Sequence, residues 1–173
     1  FMAMVKAFSY GSGSYEIANV LQLAGVDYLA VAYVDEGVAL RKAGITLPIM
    51  VMSPESGAFD RMISWKLEPE IFSLESLHYF EEAAQTLSVR HYPVHIKLDT
   101  GMHRLGFMEA ELPDLKNALQ SNETIHVQSI FSHLAGSDAA ELDSFTREQA
   151  VLFQKMAEDI QGILSHRPLW HLL

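Results

Sequence analysis

Lys6 closes an apolar run, Met2-Ala3-Met4-Val5, and four residues later the chain reads Tyr10-Gly11-Ser12-Gly13. In strand alternation Met2, Met4 and Lys6 share one face and Ala3 and Val5 the other. A protonated lysine, with an ordinary pKa of about 10.4, is a poor nucleophile. Desolvation or a neighbouring cation releases its amine for Schiff-base chemistry. The glycines of the following turn allow backbone amides to converge on an anion just ahead of a helix N-terminus, and Tyr10 and Ser12 add hydroxyl donors. The spacing is neither a dinucleotide fingerprint nor a Walker loop. The plain alternative is a lysine reaching water from a strand end.

Two further clusters carry comparable chemistry. In His95-Ile96-Lys97-Leu98-Asp99-Thr100-Gly101-Met102-His103-Arg104-Leu105-Gly106, alternation puts His95, Lys97 and Asp99 on one face. Buried polar groups must be paired, and Lys97 and Asp99, two residues apart, are expected to compensate each other. Arg104 brings a rigid fork for a carboxylate or phosphate. An internal ion-pair network without a chemical role explains Lys97 and Asp99 equally well. The third cluster is Ser129-Ile130-Phe131-Ser132-His133-Leu134-Ala135-Gly136-Ser137-Asp138, where His133 ends a strand and is placed to stack on an aromatic ligand, or to be a satisfied core histidine. No HExxH spacing, histidine–carboxylate cluster or GxSxG elbow is present, so no metal site is expected. A strand-end lysine, an anion-holding turn, an arginine loop and a strand-end histidine together suit pyridoxal phosphate. A sugar-phosphate Schiff-base aldolase needs many of the same parts.

These groups hang on a repeating strand–turn–helix pattern. Strands are expected at Met2–Val5, Tyr28–Ala32, Ile49–Met52, Glu70–Phe72, Val94–Leu98, Val127–Phe131 and Leu169–Leu173. Helices are expected from Tyr15 (core side Ile17, Val20, Leu21, Ala24), behind a cap at Asp35, behind a cap at Ser73, over Leu112–Leu119 with Pro113 in its first turn, and over Leu142–Leu164. Alternating units of this kind build a parallel sheet, either open and doubly wound or closed as an eight-stranded barrel. Lys6, Asp99 with Arg104, and His133 fall at the C-terminal ends of different strands, which favours the (β/α)8 TIM-type barrel, truncated at both ends at about strands one to seven.

The chain has 173 residues, 49% of them hydrophobic, enough for one domain with a sizeable core. Its formal net charge of -10 argues against a nucleic-acid surface, and no run is long enough to span a bilayer. With no cysteine, disulfide and thiolate chemistry are excluded. A cytoplasmic protein is expected.

The three clusters, in this order and at these separations, resemble the alanine racemases, specifically their N-terminal pyridoxal-phosphate barrel domain. The opening signature stands as Val5-Lys6-Ala7-Phe8-Ser9-Tyr10-Gly11-Ser12-Gly13, the second as Lys97 to Gly106, and the third as Ser132 to Asp138. The run Tyr28 to Ala32 with Asp35-Glu36-Gly37 and Leu40-Arg41 is similar to the family's second βα unit. The resemblance implies a homodimer that interconverts L- and D-alanine by two-base proton exchange and supplies D-alanine for peptidoglycan. It implies that Lys6 holds the pyridoxal 5'-phosphate covalently and serves as one base, and that Tyr10 contacts the phosphate. Arg104 would hold the substrate carboxylate and the cofactor's phenolic oxygen. His133 would lie beside the ring, and Lys97 matches a lysine that is carbamylated in some members and steadies Arg104. The second base would be a tyrosine from the C-terminal β domain of the partner subunit.

Phe8 and Ser12 stand where the family more usually has Asn and His, so altered packing around the turn is expected. The signature ends before the family's Asn-Ser phosphate contact. This version of the motifs also resembles proteins in which the racemase is fused behind a muramoyl-tripeptide ligase. All 173 residues are therefore expected to form part of the N-terminal barrel domain of a longer protein, inactive when isolated, without its C-terminal β domain. The alternatives are a related racemase or decarboxylase acting on serine or basic amino acids, and a pyridoxal-phosphate-binding barrel without turnover.

Overall fold

A computed structural model of the chain describes residues 1–120 and 122–172. They form two compact units, one of Phe1–Glu70 with Tyr79–Tyr92, the other of Ile71–His78 with the chain from Pro93 onward. The first contains β1 (Met2–Met4), α1 (Lys6–Tyr10), α2 (Ser14–Leu23), β2 (Tyr28–Val31), α3 (Val34–Lys42), β3 (Ile49–Val51), a 3-10 turn (Ser56–Ala58), α4 (Phe59–Ser64) and nearly all of β4 (Glu68–Ile71). Its strands pair in parallel, with Ala3 opposite Leu29, Ala30 opposite Met50 and Val51 opposite Pro69.

Leu29, Ala30, Val31, Ile49, Met50 and Val51 are all fully buried. Consecutive burial on both strand faces is what a parallel sheet covered by helices requires. β4 starts two residues earlier than its apolar content suggests, because Glu68 and Glu70 are carried into buried positions. The Tyr28 hydroxyl donates to Glu68 Oε2 at 3.1 Å. Burial, and then the Glu68 carboxylate, push the pKa of that hydroxyl up. Arg41 closes the same end of these βα units, where its charge interacts with that of Glu68. Its Nε donates to the carbonyl of Trp65, Nη1 to those of Ile45 and Leu47, and Nη2 to that of Lys66.

Two helices of this unit depart from the sequence expectation. On α2 it is Ala18 that is fully buried, whereas Val20 is 60% exposed. Contact through one small side chain leaves a narrow buried stripe, narrower than the apolar periodicity suggested. α4 was not predicted: it is short, and its buried Phe59, Met62 and Ile63 fit one turn of almost any element.

α5 (Leu74–Thr86) follows, with the Ser73 hydroxyl accepting from the backbone N–H of Ser76 at 3.0 Å, the cap its sequence predicted. The second unit continues with β5 (Tyr92–Lys97), a 3-10 turn (Glu109–Glu111), α6 (Leu112–Leu119), β6 (Ile125–Ser132), a 3-10 turn (Ala140–Leu142), α7 (Asp143–Gln161) and β7 (Leu169–Leu172). β6 and β7 are parallel, with Ser129 opposite Leu169 and Ser132 opposite Leu172, and the Leu98 N–H donates to the Phe131 carbonyl at 2.8 Å. Leu173, the last residue of the expected seventh strand, lies outside the described residues.

Within each unit the strands are neighbours in the order in which they occur in the chain. A doubly wound sheet needs a reversal of that order, and a barrel does not. Among the described residues, no helix is long and apolar enough to cross a membrane.

Candidate active site

Lys6 lies two residues beyond β1 and is half-buried. The preceding Val5 is fully buried and donates its N–H to the Ala30 carbonyl at 2.9 Å, which ties the end of β1 to β2. After Lys6 the backbone becomes left-handed. Ala7, Phe8, Ser9 and Tyr10 have φ of 50, 56, 50 and 55°, so α1 is one left-handed helical turn made without glycine. Each such residue costs roughly 1–2 kcal/mol, and such strain persists only where the surroundings over-determine it.

The surroundings here are specific. Glu36, in the first turn of α3, accepts from the Ala7 N–H through Oε1 at 2.7 Å. Its Oε2 accepts from Ala32 at 2.8 Å and Tyr33 at 3.1 Å. Glu36 therefore makes the hydrogen bonds at the start of α3 that were expected of Asp35, which is ion-paired with Arg61 instead. The recognisable signal was the glutamate three residues after the helix boundary, half of a capping box. The usual Ser, Thr, Asp or Asn at the boundary was missing, since Tyr33 stands there.

The expected cradle of backbone amides at Gly11 to Gly13 is not formed. The N–H groups of Gly11 and Gly13 both donate to the Phe8 carbonyl at 3.0 Å, and that of Ser12 donates to Ser9 at 3.2 Å. The Glu16 carboxylate folds over Gly13, filling the space beside the N-terminus of α2. The left-handed turn consumes these amides, because its own carbonyls need donors. What it leaves available is the side chain of Tyr10, 70% exposed, and a buried Ser9 hydroxyl without a partner among the described residues.

The second unit holds Lys97, Asp99, Arg104 and His133. Lys97 is 4% exposed, with Nζ 5.6 Å from the centre of the Phe131 ring. The expected Lys97–Asp99 compensation does not occur. The Asp99 Oδ1 instead accepts from the N–H groups of Gly101 and His103 at 2.9 and 3.0 Å, in the loop that begins where β5 ends at Lys97. Asp99 thereby shapes the loop that carries Arg104, which is exposed and makes no ion pair with a described carboxylate. Gly106 returns the loop to the sheet at φ 129°, so close to Leu98 and Asp99 that a Cβ would stand 2.6 Å from the Asp99 nitrogen.

His133 follows β6 directly and is half-buried. Its position is set by Gln149 of α7, a residue the sequence reading did not single out. Gln149 is 1% exposed, accepts from the Ala135 N–H at 3.0 Å, and donates to the His133 carbonyl at 3.3 Å and the Thr100 hydroxyl at 3.5 Å. The Thr100 and Ser132 hydroxyls meet at 2.9 Å, and Ser132 donates on to the Leu98 carbonyl at 2.7 Å. One buried polar knot therefore joins the Arg104 loop to the His133 loop. A polar residue at a core-facing position of α7 was the available sign.

Deeper in the same unit, Ser129 bridges His95 Nδ1 at 2.7 Å and His171 Nε2 at 3.1 Å. His171 stacks on Phe131 with ring centres 4.9 Å apart. Burial, and then the neighbouring His95, lower the His171 pKa to about 4.

Parallel βα units with polar groups gathered after their strand ends define a barrel enzyme class rather than a particular enzyme. The whole chain, residues 1–173, matches the model of the family described as alanine racemase, N-terminal domain, and the chain belongs to that family. Alanine racemase of Thermodesulfovibrio yellowstonii is 37% identical over 99% of this chain and 45% of its own length. Alanine racemase 1 of Oceanobacillus iheyensis is 36% identical over 98% and 45%. The solved alanine racemase of Clostridium difficile 630 superposes with a TM-score of 0.90 at 33% identity, covering 99% of this chain and 44% of that one. The Streptomyces lavendulae enzyme gives a TM-score of 0.91 at 27% identity, over 99% and 45%. The fold class is thus the TIM-type barrel, to which this chain contributes seven strands. The chain spans slightly less than half the length of the curated relatives it matches.

The family depends on pyridoxal 5'-phosphate. Within the first unit the residues present fit that group: a half-buried amine after β1, with a buried hydroxyl unpartnered among the described residues and an exposed phenol in the turn behind it.

Proposed function

We propose that this chain is the lysine-bearing barrel part of a pyridoxal-phosphate-dependent racemase that interconverts L- and D-alanine, acting in the cytoplasm as a homodimer. The observation that carries the reading is Lys6, held at the end of β1 by a strained turn that a surface lysine would not need. When bound, the cofactor supplies a conjugated ring that delocalises the charge left as the α-proton departs.

Lys6 would hold the cofactor through its Nζ, and the same amine would take or return the α-proton on one face of the substrate. A single base tends to give the proton back to the side it came from, so racemisation needs a second base opposite. In this reading the second base is supplied by a partner subunit. Arg104, with no carboxylate partner among the described residues, would take the substrate carboxylate in a bidentate pair. The Tyr10 hydroxyl would donate to the cofactor phosphate, and His133 would help hold the ring. Lys97, buried at the end of β5, would steady Arg104 when carbamylated, because that modification turns its cation into an anion.

The test is covalent capture. The folded chain is incubated with pyridoxal 5'-phosphate, reduced with borohydride and mapped by mass spectrometry, with urea-unfolded chain as the control. Selective modification of Lys6 is the expected result. Diffuse labelling in a folded sample would remove Lys6 as the attachment site.

A further inference from the structure

Among the described residues, Glu36 is the one side chain that reaches from the second βα unit to the residue immediately after Lys6, with the bond to the Ala7 N–H at 2.7 Å. Its other oxygen is committed to Ala32 and Tyr33, the two residues that follow β2. The carboxylate thus locks the first left-handed residue after Lys6 against the end of the adjacent strand. We propose that Glu36 is a positioning residue for Lys6: by holding Ala7 in the left-handed region it fixes the direction from which the Lys6 amine meets its carbonyl partner. This rests on the reading of Lys6 as the cofactor lysine.

The chemistry of the acceptor makes the assignment specific. A carboxylate offers acceptors on both oxygens, whereas a carboxamide offers one oxygen and one NH2 donor. In Glu36→Gln the oxygen is retained where it satisfies two donors, Ala32 and Tyr33. The NH2 is then left facing the Ala7 N–H, donor against donor. That substitution removes the Ala7 arm and keeps the start of α3. Glycine occupies the left-handed region without the steric cost other residues bear, so adding Ala7→Gly relieves the need for the clamp.

The experiment compares the wild-type chain, Glu36→Gln, and Glu36→Gln combined with Ala7→Gly, with Glu36→Asp as a second variant should the first not fold. Aspartate is one methylene shorter and cannot span both sites. Amide hydrogen exchange at Ala7 reads the clamp itself. The rate of borohydride-trapped labelling by pyridoxal 5'-phosphate at Lys6, divided by that at the exposed Lys42, reads its consequence. A general loss of stability would raise labelling of both lysines and leave no selective loss at Lys6.

Loss of a hydrogen bond to a charged acceptor corresponds to about a tenfold change or more, so Ala7 exchange is expected to rise and the Lys6/Lys42 ratio to fall by about that factor in Glu36→Gln. The double variant is expected to recover most of the ratio. Unchanged Ala7 exchange in Glu36→Gln would overturn the clamp. Faster exchange with an unchanged Lys6/Lys42 ratio would overturn the positioning role. If the folded wild-type chain shows no preference for Lys6, the cofactor-lysine reading falls instead, and the positioning role falls with it even where Ala7 exchange still shows the clamp.

Discussion

Gln149 holds the His133 loop from both sides, donating to the carbonyl of His133 at 3.3 Å and accepting from the N–H of Ala135 at 3.0 Å. The same carboxamide touches the Thr100 hydroxyl, so one residue on α7 sets the two loops that follow β5 and β6. Its environment is fully buried, and nothing else among the described residues satisfies the Ala135 N–H.

Gln149→Leu keeps the volume and removes the hydrogen bonds. Leaving a buried donor unsatisfied costs about 1–3 kcal/mol, and that is the expected loss of stability in urea denaturation. Gln149→Glu cannot donate to the His133 carbonyl and buries a charge, so it is expected to cost more. A variant as stable as wild type would show that the knot contributes nothing to these loops.

The His95–Ser129–His171 chain gives the protein an acid-sensitive element. His171 has its pKa lowered from 6.5 to about 4, chiefly by burial. Between those values the unfolded chain binds more protons, so stability rises with pH across the window and is lost as pH falls from about 6.5 toward 4. At about 1.4 kcal/mol per pH unit the full loss is roughly 3 kcal/mol. His171→Phe removes this dependence while retaining an aromatic ring against Phe131. Denaturation midpoints collected from pH 4 to 7 for both proteins test it, and identical slopes would refute it.

Glycine substitutions separate close approach from backbone strain. At Gly106 both operate: φ is 129°, and a Cβ would stand 2.6 Å from the Asp99 nitrogen and 2.7 Å from the Leu98 carbonyl carbon. Neither obstacle is a flexible side chain, so Gly106→Ala is expected to cost about 3 kcal/mol or more and to displace the Arg104 loop. At Gly11 a Cβ meets nothing within 4 Å and only the φ of 94° opposes it, so Gly11→Ala is expected to cost about 1 kcal/mol. Thermal denaturation of the two variants checks the ranking, and equal losses would contradict it.

Arg41 gathers four backbone carbonyls, those of Ile45, Leu47, Trp65 and Lys66, from the turns that end α3 and α4. A lysine at this position keeps the charge but cannot present donors in a fixed fork. Arg41→Lys is expected to destabilise by about 2–3 kcal/mol in denaturant melts, because partly buried carbonyls lose charge-assisted donors. A change below about 0.5 kcal/mol, the usual size for a surface substitution, would show that water replaces the guanidinium.

What the sequence determined by itself was local or repetitive. The alternation of short apolar runs with helical periodicity predicted all seven strands, and Ser73 and Pro113 marked helix starts that the structure retains. The motif residues Lys6, Asp99, Arg104 and His133 fell after strand ends, as expected, since a parallel βα repeat leaves its C-terminal loops in register with the pattern. The structure alone decided which partners each polar group takes. Asp99 turned to Gly101 and His103 rather than Lys97, Glu36 rather than Asp35 made the bonds at the start of α3, and the amides near Gly11 were drawn into a left-handed turn. Those bonds close over a few residues, but the turns that make them are strained or buried and are held from a distance, as Glu36 holds Ala7 from 29 positions away and Gln149 holds Thr100 from 49 positions away beside Ser132. Periodicity reports which face of an element is apolar. It carries no information about which hydrogen bond closes across the fold.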